Sequence, residues 1–159
     1  MRMHRTATKR LEEPEMALDL IPIPWQEIAS RWTVEFKPSR DGLLGGTWTL
    51  ERRIEIYVRE HQTLEEIAFT VAHEIGHAVD MTKNDPQFRR LWQKKRNIGT
   101  RMWWAEPGMS DFAVGAGDFA ECFAVWQMQS AQFNQLKYGL PDDAHINLLE
   151  EFTGWSHNA

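Results

Sequence analysis

The chain carries a single cysteine, Cys122, among 159 residues. One cysteine excludes an intrachain disulfide and the small secreted scaffolds that depend on several, and it fits a reducing compartment. Cys122 stands in an apolar helical pattern, which favours a packed thiol over a nucleophile or a metal ligand. No run of eighteen apolar residues exists, so no segment reads as a membrane span. Basic residues near the start (Arg2, Arg5, Lys9, Arg10) are followed by acidic, proline-containing sequence instead of the apolar core of a secretory signal. These absences lead to the expectation of a cytoplasmic protein. Excess positive charge is missing too. The formal net charge is −5, which argues against nucleic acid as the main partner.

What is present is ordinary for a globular chain: 42% hydrophobic and 26% charged residues, at a length that suits one domain with a real core. Residues 1–19 mix charges without periodicity and read as a poorly ordered arm, leaving 20–159 as a single domain. The prolines at 22 and 24 make an extended lead-in, and residues 25–31 can form a short helix. Thr33 to Phe36 alternates as a strand does. Residues 46–50 and 54–58 read as a hairpin bent at 51–53, with Ile54, Ile56 and Val58 on a buried face and Glu55, Tyr57 and Arg59 on a solvated one. Either hairpin strand could offer an edge to an extended peptide. Farther on, Asp85 and Pro86 open a helix over 86–95 whose basic cluster (Arg89, Arg90, Lys94, Lys95, Arg96) reads as a solvated face. Residues 97 to about 115 form a long irregular segment, of the kind that often borders a functional cleft. Helices are expected from Asp118 to about Gln132 and from Ala144 to Phe152, the latter capped by Asp142 or Asp143. The eight tryptophans are assigned to core and rim packing.

The densest chemical signal is His73-Glu74-Ile75-Gly76-His77. Around it Leu64, Ile67, Ala68, Val71, Ile75, Ala78 and Val79 recur at helical spacing. Thr63, with Glu66 three residues on, forms a capping-box pattern at the start. On that helix His73 and His77 share a face, where two imidazoles can take adjacent tetrahedral positions on one zinc ion. Glu74 is turned about 100° away, out of reach of the metal but within reach of the proton of a water on it. This is the H-E-x-x-H arrangement of zinc peptidases. It predicts one Zn2+ per chain, His73 and His77 as ligands and Glu74 as general base. The competing reading is a buried amphipathic helix with two incidental histidines. The complete signature and its uncharged surroundings weigh against that. Gly76, inside the helix, costs about 1 kcal/mol relative to alanine, and close approach of a neighbouring element is the expected reason.

A catalytic zinc needs a third protein ligand and an open position. The metzincin continuation H-x-x-G-x-x-H is excluded, because Asp80 and Lys83 stand where it requires glycine and histidine. The other usual source is a carboxylate on a following helix. Here the hairpin and site helix across Thr47 to Phe69, followed by a helix bearing Ala120-Glu121-Cys122-Phe123-Ala124, resemble the small gluzincin-type peptidases (minigluzincins). The lead-in Ile23-Pro24-Trp25 is similar to the ImmA/IrrE group. The second helix, Phe119-Ala120-Glu121 with Phe123-Ala124, is similar to the lethal-factor-like metallopeptidases often encoded near phage genes. The resemblance spans most of residues 21 to 130. It implies an α+β zincin fold, with a small antiparallel or mixed sheet packed on the site helix and a mostly helical C-terminal half. It also implies a helical glutamate as third ligand, three residues before Ala120, and Glu121 as the partner that orients a zinc-bound histidine.

The implied ligand position is Gly117, which has no side chain. Three readings follow. Asp118, next in sequence, turns in and binds the metal; Glu121, one turn beyond Gly117, binds it directly; or no side chain supplies a third ligand. Asp118 leads and Glu121 follows, with an N-cap role as the rival reading for Asp118. Glu106, Asp111, His145 and His157 are fallback donors. The resulting expectation is a small zinc endopeptidase acting on a protein or peptide, with Tyr138, Tyr57 or His145 as oxyanion donor. The alternative, favoured by Gly117, is a zincin-fold binding or accessory protein, phage-encoded, with a degenerate site.

Overall fold

The computed structural model describes residues 13–99 and 102–158. Among these residues five α-helices and three strands follow in the order α1 (Trp25–Ile28), β1 (Thr33–Pro38), β2 (Gly45–Trp48), β3 (Arg53–Val58), α2 (Leu64–Lys83), α3 (Pro86–Lys95), α4 (Gly115–Met128) and α5 (Asp143–Thr153), with two short 3-10 helices at Pro14–Leu20 and Asp111–Ala113. This is an α+β fold with a small mixed sheet and a helical C-terminal half.

Helix α2 is the centre of the molecule. Its start is set by the reciprocal capping box, in which Thr63 accepts from the Glu66 amide and Glu66 accepts from the Thr63 amide. From Val71 to Asp80 every residue is buried, because the sheet covers one side and α4 the other. The close approach expected at Gly76 is real. A Cβ there would stand 3.0 Å from the Ala120 Cα of α4. Around this crossing Ile75, Phe119, Phe123, Trp92 and Leu149 close the core, with Phe88 stacked on Phe152 to tie α3 to α5.

In the sheet the strand order is β1-β3-β2, with β1 parallel and β2 antiparallel to β3. β3 is therefore the middle strand, and β2 is the edge nearest α2. That position corrects the reading of β3 as half-solvated. Glu55 and Tyr57 are as buried as Ile54 and Ile56. The Glu55 carboxylate, 5% exposed, accepts from Lys37 Nζ at 2.7 Å, Arg53 Nε at 3.0 Å and the Tyr57 hydroxyl at 2.5 Å. Hydrogen bonding from Lys37 above all, then from Tyr57 and Arg53, outweighs burial and lowers its pKa to about 2.

Two boundaries and one surface assignment also differ from expectation. The supposed arm over 1–19 is ordered from Pro14, whose 3-10 helix packs against α2 and buries Ala17 completely; residues 1–12 lie outside the described residues. Arg96 does not belong to a solvated face, being 5% exposed and paired with Asp118. And α4 begins at Gly115 instead of Asp118, because the small residues at 115–117 let it start beneath the preceding loop.

Candidate metal centre

Two imidazoles on α2 and one carboxylate from the loop before α4 meet at a point. His73 Nε2 lies 3.1 Å and His77 Nε2 3.0 Å from the same oxygen, Asp111 Oδ2, and the three donor atoms all lie within 4.8 Å of one another. The rings of His73 and His77 meet edge to face at 4.9 Å, as the spacing of four on a helix dictates.

The other nitrogen of His73 is committed. Nδ1 lies 2.6 Å from Glu121 Oε2, and Glu121 Oε1 accepts from the Gln135 amide at 2.7 Å. With the Nδ1 proton directed at Glu121, the Nε2 lone pair points at Asp111. A lone pair and a carboxylate oxygen facing each other repel unless a cation sits between them or the ring is protonated. The acid–base balance reflects this. Burial lowers the His73 pKa, but the bonds to Asp111 and Glu121 and the charges of Glu74 and Glu121 outweigh it and raise it to about 10. Burial favours the protonated form of Asp111, yet His77 and His73 together hold its carboxyl far below the usual carboxylate range. The site thus calls for positive charge, and two imidazoles with a carboxylate are a donor set that can hold a metal ion. His77 Nδ1, in contrast, is buried with no partner among the described residues.

Asp118, first choice in the sequence for the third ligand, is placed elsewhere. It is 1% exposed and faces α3, where Arg96 grips it through Nε at 2.9 Å and Nη2 at 2.8 Å and the Trp92 indole donates at 3.0 Å. The physical reason is angular: one residue along a helix turns the side chain by about 100°, which carries position 118 from the α2 side to the α3 side. Nor does Asp118 cap the helix, since the N-cap is Val114. Glu121 is at the site, on His73 Nδ1 and not among the three converging donors.

Gly117 explains why the third carboxylate comes from the loop. A Cβ at 117 would overlap the Asp111 carbonyl and crowd its side chain. The absence of a side chain is therefore the notch in which the Asp111 turn sits. The loop is held at both ends. The Trp103 indole donates to Asp80 Oδ2 at 2.9 Å, and Arg89 takes Asp80 Oδ1 at 2.9 Å while lying over the Trp103 ring. Gly115 and Ala116 donate their amides to the carbonyls of Met102 and Trp103, and the Tyr138 hydroxyl donates to the Ala113 carbonyl at 2.8 Å. Asp111 stood in the sequence only as one of several fallback donors. The signal that singles it out is its relation to Gly117, which is visible only in three dimensions.

Glu74 stands beside the converging donors, buried, with its Oε2 accepting from the Thr47 hydroxyl of β2 at 2.7 Å. A cleft of about 720 Å³ opens there, bordered by His73, Glu74, Asp111 and Glu121. The three candidate oxyanion donors are engaged elsewhere: Tyr57 on Glu55, Tyr138 on the Ala113 carbonyl, and His145 in the cap of α5 and on the Lys95 carbonyl. Of the other fallback donors, Glu106 is exposed and His157 bonds the Trp126 carbonyl. Among the described residues no helix is long and apolar enough to cross a membrane. Comparison with protein-family models, with curated proteins and with solved structures gives no match.

Proposed function

We propose that the chain is a zinc-dependent peptide hydrolase of the minigluzincin type, with His73, His77 and Asp111 holding one Zn2+ and Glu74 as general base. The observation that carries this reading is the convergence of two Nε2 atoms and one carboxylate oxygen at the wall of a cleft that Glu74 also borders. When bound, zinc supplies Lewis acidity to the scissile carbonyl and acidifies the attacking water. Glu74 takes the proton of that water and returns it to the leaving amine. Thr47 holds the carboxylate through one oxygen, leaving the other for proton transfer. Glu121 fixes the His73 ring and its tautomer. β2, a half-buried edge strand beside Glu74, can receive an extended substrate by strand addition. A cytoplasmic setting and a protein or peptide substrate complete the proposal.

The test is zinc per chain in wild type, Asp111→Ala and Glu74→Gln, with proteolysis of an unfolded protein assayed alongside. The reading expects about one zinc in wild type, loss in Asp111→Ala, and zinc retained but cleavage abolished in Glu74→Gln. Wild type that takes up no zinc from excess metal overturns it. One observation favours a second reading, a metal-holding accessory protein without turnover: all three candidate oxyanion donors are committed elsewhere. Equal behaviour of wild type and Glu74→Gln would select it.

A further inference from the structure

At the side of the sheet away from β2, the outer edge of β1 is open. Thr33 stands opposite Arg53, and its amide donates to the Arg52 carbonyl at 3.0 Å. In a parallel pair alternate residues turn their backbone groups to the neighbour. Thr33, Glu35 and Lys37 therefore bond β3, whereas Val34 and Phe36 turn their amides and carbonyls outward. Among the described residues β3 is the element that packs along β1, and α2 covers β2 and β3. The side chains alternate as well. Val34 and Phe36 pack towards the core. Glu35 and Lys37 lie on the other face, with side chains 48% and 40% exposed. A lysine or a proline often blunts such an edge. Here Lys37 has an opposite charge two residues before it, and Pro38 closes the strand. Val34-Glu35-Phe36-Lys37-Pro38 is its own complement when laid antiparallel. With Phe36 opposite Phe36 of a second copy, each Glu35 faces a Lys37. The outward groups of the two Phe36 residues then bond each other, and each Val34 amide meets a Pro38 carbonyl. The N–H that Pro38 lacks falls at the end of the ladder. A slip of two residues either way sets Glu35 against Glu35 or Lys37 against Lys37, and a slip of one sets outward backbone groups against inward ones.

We propose that two copies of this chain associate through β1, antiparallel about a dyad at Phe36, so that their sheets join into one. The occupant of the edge is a second copy because the strand matches itself in charge and in backbone donors at a single register. The joined sheet keeps β2, the cleft and the metal group at its two outer ends, so the inference stands apart from the hydrolase reading. One six-residue edge falls below the roughly 1,200 Å² of a standard interface, which makes the association weak and reversible, with a dissociation constant on the order of 10–100 µM. The test is sedimentation velocity of the full chain over a concentration series that spans this constant, for wild type, Glu35→Lys, Lys37→Glu and an equimolar mixture of the two variants.

Wild type should pass reversibly from monomer to dimer as concentration rises. Glu35→Lys places lysine at both positions of the edge and Lys37→Glu places glutamate at both. Each variant should self-associate at least about tenfold more weakly, since like charges then face each other. The mixture should recover the dimer, because every lysine meets a glutamate. Glu35 is exposed and its ion pairs with Lys37 and Arg53 are long, 3.5 and 3.9 Å, so Glu35→Lys should keep the fold. Lys37 also bonds the buried Glu55. Should Lys37→Glu fail to fold, amide hydrogen exchange on wild type and Glu35→Lys decides the matter. In wild type the Val34 and Phe36 amides should be protected at high concentration and exchange freely on dilution, while the Thr33 amide stays protected throughout. Glu35→Lys should leave Val34 and Phe36 unprotected at both concentrations. Wild type that stays monomeric across the series, a dimer that persists in Glu35→Lys, or a dimer in which the Val34 and Phe36 amides ignore concentration overturns the inference.

Discussion

Two aspartates near the start of one helix show how little separates a ligand from a structural anchor. Asp111 faces two imidazoles at the cleft wall, with its side chain 39% exposed. Asp118 is sealed against Arg96 and Trp92. Asp111→Ala should therefore abolish stoichiometric zinc uptake in a calorimetric titration, while the metal-free protein, losing only the pairing of Asp111 with His73 and His77, keeps the larger part of its stability. Asp118→Asn should do the reverse. Breaking a buried ion pair from one side costs about 3–5 kcal/mol, readable in urea unfolding, with zinc stoichiometry intact once the variant is folded. Glu55 offers a different test at the same scale. Its folded pKa, about 2, lies below the ordinary value of 4.5, so its contribution is complete above pH 4.5 and is lost as pH falls towards 2. The stability gap between wild type and Glu55→Gln, measured by denaturant at a series of pH values, should be widest above pH 4.5 and close towards pH 2.

At the scale of elements, local chemistry was readable and pairing was not. The Thr63–Glu66 box, the Asp85 cap with Pro86, and the Asp142 cap of α5 all depend on residues within one turn of each other, so short spacings reveal them. His73 and His77 share a face for the same reason. The central place of β3 is different. It arises because β1 pairs with β3 in parallel across the hairpin, and the alternation of Glu55 and Tyr57 with isoleucines disguises a strand buried on both faces. The start of α4 and the seat of Asp111 were hidden too, since Gly117 reads as a helix breaker until the loop is seen filling its missing side chain. Gly117→Ala tests that account. The added methyl overlaps the Asp111 backbone, so zinc affinity should fall by about ten- to a hundredfold, comparable to losing a partner that supports a ligand. The far-ultraviolet circular dichroism should be unchanged, because alanine is the better helix former. Affinity equal to wild type would show that the notch does not position the turn.

For the molecule as a whole, a bound ion would tie together the central helix and the loop before α4, so metal and stability should be linked. At free zinc about a hundredfold above the dissociation constant, the gain is about 2.7 kcal/mol, which for a chain of this size is about 5–10 °C in melting temperature. Chelation should remove that increment and re-addition of zinc restore it, by differential scanning calorimetry; a melting temperature indifferent to both would count against the site. The seating of Asp111 also bears on time as well as strength. The two imidazoles are built into a helix that is buried from Val71 to Asp80, whereas the carboxylate rides on a single turn hung between the Trp103–Asp80 bond and the Tyr138–Ala113 bond. An ion held there would be released when that turn lifts from its notch, with the domain still folded. Its residence time would be governed by a local opening, far faster than global unfolding.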